Sequence, residues 1–126
     1  MPQDRAEKCY DRADAHMHVS HDQLKESGRG KVSASMRYAT ARFNAWASAC
    51  GFPSGEHRAI AREETLASFV HQYRLMLKAN FDNDIYTFEK YLLAGHGEAS
   101  HVRQWDAQKA ARVGFLPRCA LPPHPR

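Results

Sequence analysis

Val32, Met36, Ala39, Phe43, Trp46 and Cys50 recur along the chain at spacings of four, three, four, three and four. That period puts all six on one stripe of a single amphipathic helix. Ser33 is a good N-cap residue at the head of the run, and Gly51 with Pro53 just beyond it closes the run, so start signal, period and stop signal predict one helix over 33–50. The segment carries almost no acid, and its alanines, Ala34, Ala39, Ala41, Ala45, Ala47 and Ala49, leave little side chain on several faces. Neighbouring helices can then approach from more than one side, and this helix is expected to be the central element. Cys50 lies on the stripe and reads as a small buried apolar group rather than a reactive thiol.

The remaining segments also read as helices. A first is predicted from about Asp4 to Lys25, with Tyr10, Ala13, Met17 and Leu24 inward and Ala6 and Ser20 as small spacers. Ser27-Gly28-Arg29-Gly30 ends it in a turn short enough to fold the second helix back antiparallel. After Gly51-Phe52-Pro53-Ser54-Gly55 a third helix is predicted from Glu56 to about Asn80, with Ile60, Leu66, Phe69, Val70, Tyr73, Met76 and Leu77 in a stripe broad enough for two partners. Asp82-Asn83-Asp84 supplies caps for a short fourth helix carrying Ile85, Phe88, Tyr91 and Leu92, which ends at Gly95 and Gly97. A fifth spans about Glu98 to Val113 with Val102, Trp105, Ala110 and Val113 inward. Beyond Gly114, Pro117, Pro122, Pro123 and Pro125 remove donors and fix the backbone. The expected architecture is all-α: a compact bundle of four to five helices forming a single domain over 1–113, followed by an extended or disordered proline-rich tail over 114–126.

Composition narrows the function classes. A chain of 126 residues suits one core, and 43% apolar with 25% charged residues, interspersed, excludes wholesale disorder. No apolar run approaches the roughly 20 residues that cross a bilayer, and Met1-Pro2-Gln3-Asp4-Arg5 has no secretory apolar core, so a cytoplasmic protein with no membrane partner is expected. Cys9, Cys50 and Cys119 are odd in number and form no CxxC pair, which suits reduced thiols. The net charge of +4 is uneven: residues 1–31 balance six acids with six bases, while 96–126 hold five bases against Glu98 and Asp106. That excess favours anionic partners but is too thin for a dedicated nucleic-acid binder, so direct nucleic-acid binding is not expected.

Val32-Ser33-Ala34, Tyr38-Ala39 and Ala41-Arg42-Phe43-Asn44-Ala45-Trp46, followed by Phe69-Val70-X-Gln72-Tyr73-Arg74-X-Met76-Leu77 and Asn80, carry a resemblance. Over roughly residues 5 to 92 the chain resembles the core of a family of small bacterial proteins catalogued only as a domain of unknown function. The resemblance implies a compact helical fold of bacterial origin and brings no activity, ligand or catalytic residue. Family members are rather acidic, whereas this chain is basic and extends some thirty residues further, which points to the C-terminal part for a function of its own.

Among chemical constellations, Asp14-X-His16-X-His18-X-X-His21-Asp22 is the densest. Helical spacing brings His18, His21 and Asp22 toward one side, a donor set suited to zinc, nickel or non-haem iron, with His71, Glu63 or Glu64 as further ligands. One helix seldom surrounds a metal, and no HExxH pattern is present, so a solvated face is the preferred reading. Glu63 and Glu64 point about 100° apart on a helix and do not converge on a substrate atom; pairing with Arg42, Arg58 or Arg62 is expected instead, with Arg42 bridging helices. Asn44 beside Phe43 is read as a structural hydrogen-bonding group. Arg103, Trp105, Lys109, Arg112, Phe115 and Arg118 combine cations with aromatic surface and are the candidate partner-binding residues. No catalytic residue and no cofactor is assigned. The expected function is non-catalytic binding of another protein, with homodimerisation included. One alternative is an inhibitor or accessory subunit of a nucleic-acid-processing complex acting through the basic C-terminal region; the other is a metal-dependent protein centred on His18, His21 and Asp22.

Overall fold

A computed structural model of the chain describes residues 2–92 and 97–111. Five helices follow one another: α1 (Pro2–Leu24), α2 (Arg29–Ala49), α3 (Gly55–Ile60), α4 (Arg62–Tyr91) and α5 (Glu98–Ala111), with no strand among the described residues. The all-helical class is as the sequence predicts. The proline-rich tail lies outside the described residues.

The helix boundaries differ from expectation in two places. α2 begins at Arg29, four residues before Ser33, because Gly28 in extended conformation (φ −69°, ψ 155°) serves as N-cap and accepts from the Val32 amide at 3.1 Å. Ser33 is therefore an interior residue. The predicted third and fourth helices are instead cut at Ala61. Ser54 caps α3, its hydroxyl accepting from the His57 amide at 3.2 Å, and the chain bends at Ala61 (φ −86°, ψ 0°), whose carbonyl accepts the Thr65 amide that opens α4. From there α4 runs 30 residues without interruption, about 45 Å at 1.5 Å per residue. Asp82-Asn83-Asp84 starts no helix. Its neighbours turn their polar side chains onto carbonyls one turn back, Asn80 Nδ2 to Met76 O at 2.8 Å and Thr87 Oγ1 to Asn83 O at 2.8 Å, which helices tolerate.

The principal packing pairs are α1 with α2, α1 with α5, α5 with α4, and α3 with α4. α1 and α5 thus occupy the middle, and α2, expected there, lies at an edge. Only the head of its apolar stripe is covered: Val32 is buried and Met36 half-buried, while Ala39, Phe43, Trp46 and Cys50 are exposed. On α4 the same holds. Phe69 and Met76 are half-buried, whereas Leu66, Val70, Tyr73 and Leu77 face outward, as does Ile60 on α3. The bundle is open where the sequence predicts compactness, because periodicity reports which residues share a face and not whether anything covers that face. Val32 and Trp105 are the buried apolar residues among those described, and His21, Thr65, Ser100 and Gln104 are the buried polar ones.

The thiols also differ from expectation: Cys9 is disulfide-bonded, and Cys50 is free and exposed rather than buried. Cys119 lies outside the described residues. No described helix is long and apolar enough to cross a membrane.

The continuity of α4 is directly testable. Asn83→Pro removes an interior amide from a continuous helix and is expected to destabilise the protein by about 3 kcal/mol or more in urea titration. Were a helix to begin at 82–84, proline at that first turn would be nearly neutral.

Candidate functional site

Two features of the structure bear on function: a polar clasp that holds α5 between α1 and α4, and the uncovered apolar faces of α2 and α4. The clasp explains where most of the sequence-predicted site residues go.

Trp105 is 9% exposed. Its indole Nε1 donates to Asp14 Oδ1 at 2.8 Å, and Lys109 Nζ, one helical turn further along α5, donates to the same oxygen at 2.6 Å. Tyr10 of α1 packs against the Trp105 ring at 6.4 Å between centroids, and the Lys109 ammonium sits 5.8 Å from the same ring. Lys109, as hydrogen-bond donor, is the main cause holding the Asp14 carboxyl below its ordinary pKa, with Trp105 the second; the same bond to Asp14 chiefly raises Lys109. The side chains of Asp14 and Lys109 retain 25% and 28% exposure, so water screens part of this attraction.

One turn earlier along α5, His101 meets His21 of α1. His21 Nε2 and His101 Nδ1 are 2.6 Å apart, with the rings edge to face at 4.9 Å. A hydrogen bond between two imidazoles needs one nitrogen protonated and the other bare; with both rings cationic, two N–H groups would face each other. Burial first, and the neighbouring His21 second, pull His101 below the ordinary imidazole pKa, against an opposing pull from Asp84. On its other side α5 is tied to α4. Gln104 Nε2 donates to Asp84 Oδ1 at 2.5 Å and to Thr87 Oγ1 at 3.4 Å, Gln108 Nε2 donates to Asn80 Oδ1 at 3.0 Å, and Ser100 Oγ donates to the Tyr91 carbonyl.

The proposed metal ligands do not converge. His18 turns its Nδ1 to the Asp14 backbone oxygen at 2.9 Å, His21 is taken by His101, and Asp22 pairs with Lys25 at 3.2 Å. Among the described residues no three metal-capable groups gather at one point. Glu63 pairs with its neighbour Arg62, one of the three partners the sequence offered, and not with Arg42 across helices. The residue that does fasten α2 is Arg58 of α3, which donates to Ser48 Oγ at 2.7 Å and the Ala45 carbonyl at 3.3 Å while lying over the Phe52 ring. Of the six candidate partner-binding residues, Trp105 and Lys109 face Asp14, Arg103 is exposed, and Arg112, Phe115 and Arg118 lie outside the described residues. Sequence reasoning passed over His101 and Gln104, which have no motif to mark them; the pairing of His21 with His101 spans 80 positions.

The second feature is surface. On α2, Tyr38, Phe43 and Trp46 are exposed, the last by 59%, and the Phe43 and Trp46 rings pack on one another at 5.5 Å. On α4, Leu66, Val70, Tyr73, Leu77 and Phe81 recur at spacings of four, three, four and four, all exposed, and Ile85 and Phe88 continue the stripe. Isolated exposed apolar residues are ordinary; two contiguous helical stripes are not.

A family model described as "Protein of unknown function (DUF3144)" matches residues 9–85. No curated protein and no solved structure matches the chain.

Two outcomes test the clasp. Trp105→Phe keeps most of the apolar bulk but removes the donor to Asp14 and is expected to cost about 1 kcal/mol, whereas Trp105→Ala should cost about 3 kcal/mol or more; urea unfolding reads both. The depressed His101 pKa means the folded state binds fewer protons than the unfolded one. Its contribution to stability is therefore complete above the ordinary value of 6.5 and is lost as pH falls through the lower folded pKa. The urea midpoint should drop from pH 7 to pH 5, and His101→Gln should flatten that slope.

Proposed function

The chain belongs to the DUF3144 family of proteins of unknown function, and we propose that it is a small non-catalytic protein whose work is to bind another protein through the apolar faces of α2 and α4. The observation that carries this reading is the uncovered stripe itself: Phe43 and Trp46 on α2 and Leu66, Val70, Tyr73, Leu77 and Phe81 on α4, all exposed. Keeping such side chains in water forgoes about 1.5 to 3 kcal/mol each relative to full burial, which a binding partner recovers. The aromatic anchors Phe43, Trp46, Tyr73 and Phe81 are residue types enriched at the centres of interfaces. The α1–α5 clasp favours the same surface, since it engages Trp105 and Lys109 internally and leaves the α2 and α4 stripes as the accessible aromatic ground.

Capture from a lysate of the source cell tests the reading. A Phe43→Ser, Trp46→Ser, Phe81→Ser variant should keep its helical circular dichroism and lose the proteins that the immobilised wild-type chain retains. Equal capture by both, with equal helicity, overturns it.

A further inference from the structure

The bare stripe of α4 is half of a longer seam. Leu66, Val70, Tyr73 and Leu77 are spaced four, three and four apart, and the same alternation of three and four runs on through Asn80, Asp84, Thr87 and Tyr91. Both sets therefore lie along one side of the helix. α5 occupies the second set: Gln108 bonds to Asn80, Gln104 to Asp84 and Thr87, and Ser100 to the Tyr91 carbonyl. Numbers rise along α5 as they fall along α4, so Ala111, where α5 ends, comes level with Leu77, where the bare half begins. The axis of α5 points along the uncovered half.

The disulfide puts an anchor at the same level. The chain has three cysteines; Cys9 is disulfide-bonded and Cys50 is free, which leaves Cys119 as the partner of Cys9. α1 also runs antiparallel to α5, with His21 against His101 and Asp14 against Lys109. By that register Ala111 comes level with residues 11–12, and Cys9 lies within the next turn. His101, Trp105 and Lys109 face α1, whereas Ser100, Gln104 and Gln108 face α4. A tether at Cys9 thus draws the chain beyond Ala111 toward α1 and off the line of α4.

Building on the protein-binding reading above, we propose that Cys9 and Cys119 form a redox latch that decides whether the Leu66–Leu77 half of the α4 seam is open to a partner or covered by the chain's own C-terminal segment. Latched, the segment is held on α1 and the seam is bare, which is the combination the structure holds. Unlatched, the chain continues from Ala111 along the seam, and Val113, Phe115 and Leu116 cover it. The lengths agree: Leu66 to Leu77 is about 17 Å of helix, which the five residues 112–116 span when extended at about 3.3 Å each. A segment of the same chain competes at high effective concentration, so a partner must displace it. Cys9 is half-buried and thus open to exchange. To close the latch, the Cys9 thiolate attacks a small-molecule disulfide and expels one thiolate; the Cys119 thiolate then attacks the Cys9 sulfur of the mixed disulfide and expels the second. The chain loses two electrons and its two thiol protons, and the small disulfide leaves as two thiols. A dithiol reductant runs the same exchange in reverse.

The test is hydroxyl-radical labelling of Tyr73, on the bare half of the seam, against Tyr86, 89% exposed on another side of α4, read by mass spectrometry on the full chain with Cys50→Ser throughout. After treatment with glutathione disulfide, a digest without reductant should join the Cys9 peptide to the Cys119 peptide while the intact mass stays near 14.3 kDa. A Cys9→Ser, Cys119→Ser variant, permanently unlatched, should keep its helical circular dichroism and label Tyr73 about fourfold more slowly than the latched protein, the slowing that a three-to-one population of covered chains gives. Tyr86 should label at the same rate in both. Adding Phe115→Ser and Leu116→Ser to the unlatched variant should restore the Tyr73 rate. Unjoined peptides after oxidation, or a link between two copies, overturn the latch. Equal Tyr73 labelling in latched and unlatched protein overturns it as well, as does a slowing shared with Tyr86 or one that survives the changes at Phe115 and Leu116. None of these results touches the protein-binding reading, which fails separately when the Phe43→Ser, Trp46→Ser, Phe81→Ser variant captures as the wild type does.

Discussion

Asp14 is the point on which the arrangement of the long helices turns. Its carboxylate accepts both the Trp105 indole and the Lys109 ammonium, closing contacts across 91 and 95 positions of sequence. Contacts so distant repay their loop-closure entropy late in folding, so α1 and α2 can form their hairpin locally while α5 must be brought back to it. The apolar stripe of α5 is sparse, and its docking is accordingly polar: Trp105, Lys109 and His101 toward α1, and Ser100, Gln104 and Gln108 toward α4. Each bond contributes little net free energy against water, but each severe loss leaves a buried donor or acceptor unsatisfied. A helix held this way is specified by geometry more than by hydrophobic burial, and Trp105 supplies both.

Helix content and most helix ends were legible in the sequence because they rest on local chemistry. α2 ends at Ala49, just ahead of Gly51 and Pro53, and Ser54 caps the next helix through the His57 amide. The errors have local causes as well. Ser33 is a good cap residue, but Gly28 caps the helix earlier, and Gly30, which disfavours a helix interior by only about 1 kcal/mol, is carried in the first turn. Asp82-Asn83-Asp84 resembles a cap box only in isolation; with no glycine or proline from 62 to 92, propagating α4 by one residue at a time costs less than nucleating a new helix.

Coverage of faces was not legible at all. The six-residue stripe on α2 was correct as a stripe, yet α1 covers only Val32 and Met36, since a period of 3.6 fixes an azimuth and says nothing of the neighbour. The histidine cluster failed for the matching reason. His18, His21 and Asp22 do share a side of α1, but each finds a different partner, and the one for His21 arrives from α5. A donor set read from one helix omits whatever the rest of the chain brings to it. Trp105 is inward on α5 as its spacing predicts, but its reading as a partner-binding residue missed Asp14, because that acid lies near the other end of the sequence.

The clasp links α1 to α4 through α5. α1 packs against α2 on one side and α5 on the other, and α5 in turn packs against α4, so the position of α4 relative to α2 is transmitted in large part through α5. Gln104 bonds directly to Asp84 of α4, and one turn before it on α5 His101 bonds to His21. A second imidazole proton would oppose that contact, because two donors then face one another across 2.6 Å. Loosening it removes one contact between α5 and α1, while Trp105 and Lys109 still hold Asp14 and Gln104 still holds Asp84 and Thr87. Acid therefore acts first on the His21 end of the α1–α5 seam, and the Asp14 end, whose carboxyl Lys109 chiefly holds below its ordinary pKa, yields only at lower pH.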